Sequence, residues 1–552
     1  MNRRNLAQLS ILLLLGMAAL LVWRYGPVRT AAPVTAPQAV AKAVAPRRPA
    51  PAARPTAAPL SSLFDQATRQ EALALLEQRL VRANARQNEA VMLFRSETAY
   101  RQFLARAAAA GLTVLGQLDG LNAVRVRYDS TDALLSELLD HTTDYTEVSA
   151  NYTLRAPPVP ATDNRAAITE VPIGNGLFDF LGADVNSTTL GRGVTVAVLD
   201  TGVAADPTFV AGQLRTIDVG MGTAPGTGPE DGHGTAVAAL AAGTADGAQG
   251  IASAAGILSI RVTDASGLAD IFTLSQGIIA AMDAGANVIN ISLGGYDTNS
   301  VLSSAIGRAT TAGIAIVASA GNDQLSGLTW PAADPRVISV GAVDGTGQQV
   351  TFSNSGPQLS LSAPGYGVPT AWLDSQRILM DGTSASAPLV AGTIAAVISQ
   401  NPTLSGTAAA AIVQQHASDA GEAGSDPNYG TGILNVGWTM NRNNSAYADT
   451  AVASTLYDPA TGITNVLVQN RGNQIVDGMQ LQVTVGSDPR TIGVGPLQPG
   501  ASVSVPLTID QAALQAAGQV NLDIQLTNPA GLADQVPLNN RARGAITAPA
   551  AK

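Results

Sequence analysis

The central part of the chain repeats one pattern of apolar and polar positions. Apolar runs of strand length alternate with turns and with longer segments that predict helices. This alternation predicts a doubly wound parallel sheet with helices on both faces, which is an α/β fold. The predicted strands are residues 194–199, 257–262, 287–293 and 314–319, and the predicted helices are residues 235–242, 271–284 and 301–312.

The preceding segment, residues 61–155, predicts a smaller α+β domain. Its elements follow the order β-α-β-β-α-β, which is typical of a ferredoxin-like fold. Ser96 is a suitable cap for one helix, and Asp119-Gly120 is a strong hairpin turn. A charged helix comes first at 64–86, and the other elements are strands at 90–94, 112–118, 121–128 and 148–154 and helices at 96–109 and 131–141.

The last hundred residues predict a third domain. Beyond about residue 445, short strands alternate with turns rich in Gly, Pro and Asn, which predicts a small β-sandwich over 446–545. Such a domain binds a partner or a surface, or only covers its neighbour. The predicted strands are residues 464–469, 479–485, 502–507 and 520–526.

The N-terminus has the pattern of an export signal. Arg3 and Arg4 precede an apolar run over 6–23, so residues 1–25 predict either a cleaved signal peptide or a short membrane anchor. The arginines keep that end in the cytoplasm, so the remainder is expected on the extracytoplasmic side. Residues 26–60 are rich in Ala and Pro and predict an extended spacer, and residues 156–175 predict an exposed connection.

Composition removes several classes of function. The net charge of −10 argues against a nucleic-acid-binding protein. The chain has no cysteine, which excludes disulfides, thiolate catalysis and cysteine-zinc sites. Histidine-dependent chemistry has only three candidates, His141, His233 and His416.

Ser384 is the candidate nucleophile. It lies in a small-residue turn before an apolar run over 387–398 that predicts a buried helix, so it stands at or just before a helix N-terminus. Unpaired backbone N–H groups and the positive end of the helix dipole favour developing negative charge there. Pro388 is expected in the first helical turn, where its missing N–H costs nothing.

Three other residues supply the groups that a serine nucleophile needs. Each follows or precedes an element of the predicted parallel sheet. His233, between two glycines, is the candidate base, and Asp200, at a strand end, would orient it. The oxyanion would be stabilised by the Ser384 N–H and by the side-chain amide of Asn322. The chain order Asp, His, Ser is one of the known orders for this arrangement.

These motifs resemble the subtilisin family of serine peptidases over residues 180–440, with a catalytic domain expected at 176–445. The resemblance implies a serine endopeptidase that acts on polypeptides and needs no cofactor. The segment 243–250 is short where relatives carry a calcium loop, so no metal is assigned. The resemblance rests on Asp200-Thr201-Gly202, Gly232-His233-Gly234-Thr235 and Gly382-Thr383-Ser384.

The resemblance also implies where the substrate binds. A peptide would be added as a strand between two edges of the domain. The first pocket is expected to be roomy and to accept an apolar or aromatic residue, and Asp323 near its rim would admit a basic one. The implied residues are Ser266, Gly267 and Leu268 on one edge and Ser292, Leu293, Gly294 and Gly295 on the other.

The flanking domains acquire roles from the same resemblance. Residues 61–155 would be a propeptide, acting as intramolecular chaperone and inhibitor, and the connection at 156–175 would be self-cleaved. A permanently attached accessory domain is the alternative. Two other functions stay open: an inactive or permanently inhibited scaffold whose β-sandwich binds a surface partner, and a lipase-like hydrolase. The latter lacks the Gly-x-Ser-x-Gly elbow at Ser384.

Overall fold

A computed structural model describes most of the chain, namely residues 48–49, 68–157, 170–183, 188–225, 231–264, 266–458 and 461–547. The predicted signal or anchor lies outside these residues, as do most of the spacer and most of the connection. Among the helices of the described part, none is both long and apolar enough to cross a membrane. The domain boundaries given above stay predictions.

The N-terminal domain has the predicted order of elements. The helices are α1 (Arg69–Leu80), α2 (Glu97–Arg106) and α3 (Thr131–Asp140). Ser96 caps α2 as expected, because its hydroxyl accepts the Ala99 N–H. The strands are β2 (Ala85–Phe94), β3 (Leu112–Leu118), β4 (Ala123–Tyr128) and β5 (Tyr145–Arg155). Strand β1 (Arg48–Pro49) is a short segment of the spacer that pairs in parallel with Leu325–Ser326 of the central domain.

One predicted element of this domain is wrong in length. The helix expected over 64–86 ends at Leu80, and strand β2 already begins at Ala85, where it pairs with Tyr152 of β5. Helix propensity favoured a longer helix, but strand pairing across the domain prevails over it. The antiparallel sheet has the order β3-β4-β2-β5, and a strand of the following domain, β9 (Leu268–Asp270), extends it beyond β5.

The central domain is the predicted parallel sheet, with seven strands in the order β14-β13-β11-β10-β6-β8-β7. Three of its strands, at Val288–Ile291, Ala315–Ser319 and Ile338–Val343, are buried along their whole length, as expected for a sheet covered on both faces. The strands of the domain are β6 (Thr195–Asp200), β7 (Leu214–Ile217), β8 (Gly256–Arg261), β9 (Leu268–Asp270), β10 (Val288–Ile291), β11 (Ala315–Ser319), β12 (Leu325–Ser326), β13 (Ile338–Val343), β14 (Leu361–Pro364), β15 (Val368–Ala371) and β16 (Arg377–Met380).

Helices cover both faces of this sheet. Along β6, Val196 and Val198 pack with α5 and α8, whereas Ala197 and Leu199 face the opposite way and pack with α6 and α7. The long helix α8 is buried from Thr383 to Ile398 and lies against both the sheet and α5. The helices of the domain are α4 (Leu177–Leu181), α5 (His233–Ala242), α6 (Ile271–Asp283), α7 (Ser300–Thr311), α8 (Thr383–Gln400), α9 (Gly406–Gln415) and α10 (Val436–Asn441).

The C-terminal domain has two antiparallel sheets, of three and four strands, in the orders β17-β18-β21 and β20-β19-β22-β23. It is joined to the central domain by specific contacts: Gln469 accepts the Asp419 N–H at 2.8 Å, and the Trp438 indole donates to Asn473 at 3.2 Å. Its elements are β17 (Thr450–Asp458), β18 (Ile463–Asn470), β19 (Met479–Val485), β20 (Asp488–Val494), β21 (Ser502–Thr508), α11 (Gln511–Ala517), β22 (Gln519–Thr527) and β23 (Arg541–Thr547).

Candidate active site

Asp200 ends strand β6 at the carboxyl edge of the parallel sheet, where the sequence places it. The side chain is fully buried, and its Oδ1 lies 2.8 Å from His233 Nδ1. The same oxygen accepts the Thr201 N–H at 2.7 Å, while Oδ2 has no hydrogen-bond partner among the described residues. A buried carboxylate in this contact fixes the imidazole ring and favours a proton on Nδ1.

His233 begins helix α5 and is 4% exposed. The flanking glycines permit this position: a Cβ on Gly232 would lie 2.2 Å from the Trp372 ring, and one on Gly234 would lie 2.3 Å from the Gly202 carbonyl. With Nδ1 held by Asp200, the free lone pair is on Nε2. Nε2 is buried and has no partner in the part of the chain that the structure describes. A buried imidazole nitrogen without a hydrogen-bond partner can accept a proton from a substrate or a nucleophile.

Ser384 is the second residue of α8 and is fully buried. Its hydroxyl donates to the backbone carbonyl of Ser292 at 3.0 Å, not to His233. The helix begins one residue earlier, at Thr383, after Gly382 with a φ of +128°, a conformation that favours glycine. The turn that presents the serine is therefore the one expected from the sequence, but the hydroxyl points to a partner that the sequence did not predict.

The expected place of Pro388 in the first turn of the helix is wrong, because α8 begins at Thr383 and Pro388 lies inside it. A proline at this position cannot donate to the carbonyl of Ser384, four residues earlier. That carbonyl instead accepts the hydroxyl of Ser292 at 3.2 Å. Ser292 and Ser384 are thus joined by two reciprocal hydrogen bonds. The donor that Pro388 lacks is replaced by the Ser292 hydroxyl, which lies outside the helix.

Asn322 follows strand β11 and has a defined amide orientation. Its Oδ1 accepts the Thr383 N–H at 2.9 Å and the Thr383 hydroxyl at 2.8 Å. Because both contacts come from donors, the oxygen and the nitrogen of the amide are assigned without ambiguity. Nδ2 lies next to Gly382, only 3.1 Å from where a Cβ on that glycine would stand. A donor is therefore held beside the residues that precede Ser384.

A cavity of about 430 Å³ opens beside these groups. Of the residues implied by the sequence, Leu293, Gly294, Asn322 and Asp323 line it. Asp323 is exposed at the rim and accepts a hydrogen bond from the Tyr296 hydroxyl. Burial, with this contact to Asp323, raises the pKa of Tyr296 well above its usual value. Other lining residues were not predicted to belong to this cavity, although Gly382 and Thr383 are part of the serine motif: Ser319, Gly321, Thr329, Phe352, Asp381, Gly382 and Thr383.

The end of the N-terminal domain lies between the two predicted substrate-binding edges. On one edge, Arg155 exchanges backbone hydrogen bonds with Gly294, at 3.1 and 3.2 Å. On the other edge, Ala156 N–H donates to the Gly267 carbonyl at 3.1 Å, and Arg155 pairs with Leu268. The chain therefore runs through the groove as an added antiparallel strand.

The remaining implied residues have supporting positions. Ser266 lies in a turn in which its hydroxyl and N–H both donate to Asp264. Gly295 approaches the inserted strand so closely that a Cβ there would lie 2.9 Å from the Thr153 carbonyl. Ser292 lies behind the groove in contact with Ser384. Among the described residues, no group of three or more side chains comes together to hold a metal ion.

The turn at Asp264 also has a distinct electrostatic character. Partial burial favours the neutral acid, but hydrogen bonds from Ser266, Arg86 and Leu268 outweigh it and lower the pKa of Asp264. Arg86 belongs to the N-terminal domain, and its guanidinium lies 3.1 Å from the carboxylate. This carboxylate thus supports one edge of the groove and holds the domain that fills it.

Comparison with known proteins agrees with this geometry. Residues 191–432 match the model of the subtilase family. The thermostable alkaline protease of Halalkalibacterium halodurans is 34% identical over 51% of this chain and 77% of its own length. Subtilisin DY of Bacillus licheniformis is 34% identical over 45% of this chain and 90% of its own length.

Among solved structures, the epidermin leader peptide processing serine protease of Staphylococcus aureus is similar in fold. It is 17% identical, covers 64% of this chain and 98% of its own, and has a TM-score of 0.50. A parallel sheet with Asp200, His233 and Ser384 on three of its connections, and relatives matched over most of their length, lead to one assignment. The chain belongs to the subtilase family and is a subtilisin-like serine endopeptidase.

Proposed function

We propose that Ser384, His233 and Asp200 form the catalytic triad of this peptidase. The Ser384 Oγ attacks the carbonyl carbon of the scissile bond, and its proton passes to His233 Nε2. The C–N bond then breaks, and the same proton passes to the leaving nitrogen. Water hydrolyses the acyl-enzyme by the same steps in reverse, with His233 again as base. Asp200 holds the Nδ1–H and stabilises the imidazolium.

The observation that carries this proposal is the buried Asp200–His233 contact, with Nε2 left unpartnered. Ser384 is the second residue of α8, and α8 packs against α5, which begins with His233. Its hydroxyl has to leave the Ser292 carbonyl and turn to Nε2 for the reaction. The developing oxyanion would be stabilised by the Ser384 N–H and by Asn322 Nδ2, whose oxygen is already occupied by Thr383.

The substrate is a polypeptide bound as an extended strand between Gly294 and the segment 266–268. The first pocket is mostly apolar, and the inserted chain already places Pro157 against it. We infer a preference for apolar or aromatic residues, with Asp323 at the rim able to admit a basic one. Cleavage of a peptide library tests this preference, and strict rejection of large side chains would contradict it.

The N-terminal domain is proposed to be the inhibitory propeptide. Its last strand fills the groove, and Leu154 is buried in the same apolar cluster as Ala269 and Leu293 of the central domain. Its sheet also covers the N-termini of α6 and α7: Asn151 accepts the Phe272 N–H, and Glu147 accepts the Ser300 N–H at 3.4 Å. Acceptors at helix N-termini are favourable contacts.

Ion pairs strengthen the same contact. Arg86 and Arg125 of the N-terminal domain lie 3.5 and 3.4 Å from Asp270 Oδ2, which is the second oxygen of the residue that caps α6. Maturation would then separate the domains by a cut within the connection at 156–175. We infer export from the predicted N-terminal signal, which would send the mature enzyme out of the cytoplasm, either anchored or released.

A fluorophosphonate probe tests both proposals in the full chain. Leu154→Arg places a charge in a buried site (1% exposed), so we expect it to open the groove and increase labelling. The matched control is Leu75→Arg on α1, where the leucine is 37% exposed, and it should leave labelling unchanged. Adding Ser384→Ala should abolish labelling. Labelling that survives Ser384→Ala refutes the nucleophile, and no response to Leu154→Arg refutes the inhibitory role.

A further inference from the structure

The register of the inserted strand identifies the residue that lies opposite Ser292. Arg155 and Gly294 exchange both backbone hydrogen bonds, so they form a hydrogen-bonded pair of an antiparallel ladder. Partners in such a ladder move in opposite directions along the two chains. Two residues further on, Pro157 therefore stands opposite Ser292, at the next hydrogen-bonded position. Pro157 also lines the cavity beside Asn322, Gly382 and Thr383.

At this position an ordinary residue would donate its N–H to the Ser292 carbonyl. Pro157 has no N–H, so the ladder stops at Arg155. The carbonyl that the ladder would have used accepts the Ser384 hydroxyl instead, at 3.0 Å. Because Pro157 leaves the Ser292 carbonyl free, the Ser384 hydroxyl can donate to that carbonyl. His233 Nε2 then has no hydrogen bond from the serine.

We propose that this enzyme does not cut its inhibitory strand after Pro157, the residue opposite Ser292, because the bond that follows Pro157 joins it to a second proline, Pro158. This regulation of the site rests on the proposed peptidase and inhibitory functions.

The chemistry of this bond opposes acyl transfer. Cleavage would move the Pro157 acyl group from the Pro158 nitrogen to Ser384 Oγ, and the serine proton would pass through His233 to that nitrogen. The Pro158 nitrogen carries a ring carbon in place of an amide hydrogen, which adds bulk at the nitrogen that must be protonated. The nucleophile is also held by Ser292, because Pro157 leaves that carbonyl unoccupied.

Activation then requires a cut elsewhere in the chain. The inhibitory strand stays uncut in the groove, so its release has to begin with cleavage of another bond. A subtilisin-like enzyme whose inhibitory strand ended in two ordinary residues would cut the bond beside its own serine. Here two successive prolines allow the inhibitory strand to bind in the groove but prevent its cleavage there.

The test compares four full-length proteins. The double variant Pro157→Leu with Pro158→Ser restores the N–H and the ordinary amide, so we expect it to cut itself between positions 157 and 158. The single variant Pro157→Leu restores the N–H but retains the imide bond, so it should stay uncut there, as should the natural chain. Ser384→Ala added to the double variant should prevent the cut. Intact mass and N-terminal sequencing locate the cleaved bond.

A natural chain found cut between 157 and 158 would overturn the proposal without any variant. An uncut double variant would overturn it too, and labelling then separates two failures. If Leu154→Arg added to the uncut double variant makes Ser384 react with the fluorophosphonate, the peptidase is intact and only the proline argument is wrong. If Ser384 still does not react, the proposed peptidase function falls with it.

Discussion

Replacement of Asn322 separates two roles of one side chain. Its Oδ1 holds the start of α8 through Thr383, at 2.9 and 2.8 Å, and its Nδ2 is the proposed oxyanion donor. Asn322→Asp keeps an oxygen for both Thr383 donors and loses the donor nitrogen. Asn322→Ala loses the donor and both acceptor contacts. The pair of variants therefore distinguishes the chemistry from the local fold.

The expected magnitudes follow from these contacts. Loss of one oxyanion donor in a subtilisin lowers kcat by about 10²–10³, or about 2.7–4 kcal/mol, and we expect the same range here for Asn322→Ala. The two Thr383 contacts are worth about 0.5–1.5 kcal/mol each, so Asn322→Ala should also lose about 1–3 kcal/mol of unfolding free energy. Asn322→Asp should lose at least as much rate, because it places a carboxylate where the oxyanion develops, but little stability.

Both variants are to be made in the Leu154→Arg chain and assayed on a peptide p-nitroanilide. Active sites are counted by fluorophosphonate titration, and unfolding is followed in urea. KM should change little, because the contact forms in the transition state. A kcat for Asn322→Ala within about tenfold of the parent would refute the oxyanion role. A similar loss of stability in Asn322→Asp would refute the assignment of Oδ1 to Thr383.

Three further changes have defined outcomes. Asp200→Asn should lower kcat by about 10⁴-fold, because an amide in place of the carboxylate favours the wrong imidazole tautomer. If kcat per titrated active site falls by less than about tenfold, the result would argue against the triad. Burial, reinforced by Arg442, lowers the pKa of His416 despite its contact with the Ile412 carbonyl, so the folded protein holds it neutral. In the unfolded chain the imidazole of His416 binds a proton at about pH 6.5, so its contribution to the unfolding free energy is complete above that pH and decreases below it. His416→Gln should therefore make the unfolding free energy, measured in urea, less dependent on pH in that range. Asp264 has a lowered pKa, so its carboxylate supports the groove above its usual pKa and the support is lost as the pH falls through the lowered value. Asp264→Asn should therefore raise hydrogen exchange of residues 153–156 already at neutral pH, with no change in β22, and equal exchange in both proteins would contradict this.

Much of the fold follows from local patterns in the sequence. The four predicted strands of the central sheet are all present, because a parallel sheet buried on both faces requires continuous apolar runs. Strands β7, β13 and β14 were not predicted. Strand β7 is only four residues long and is not buried, so it lacks a continuous apolar run, whereas the six buried residues of β13 were not assigned to a strand. Strand pairing between distant segments also explains why β2 replaces the end of the predicted first helix.

The backbone positions of the candidate site residues also follow from local sequence patterns, whereas their side-chain contacts do not. Asp200 ends a strand, His233 and Ser384 stand at the starts of helices, and Asn322 follows β11 closely, so a sequence pattern fixes the backbone near each of them. The cavity wall was only partly predictable, because Thr329 reaches it from a connection that carries no pattern. Thr383 was visible as part of the motif, but its function of orienting Asn322 depends on a contact between residues 61 positions apart.

The position of the Ser384 hydroxyl lies beyond any local pattern, because it is decided by three segments at once. Pro388 removes the helical donor from the Ser384 carbonyl, and Ser292 replaces that donor, which brings Ser292 next to the nucleophile. Pro157 then withholds an N–H from the Ser292 carbonyl, so the hydroxyl finds an acceptor there. Two prolines 231 positions apart in the sequence therefore act on one serine through a shared partner, Ser292. Motifs identify the residue that reacts, whereas its hydrogen-bonding state depends on which backbone donors the rest of the fold supplies.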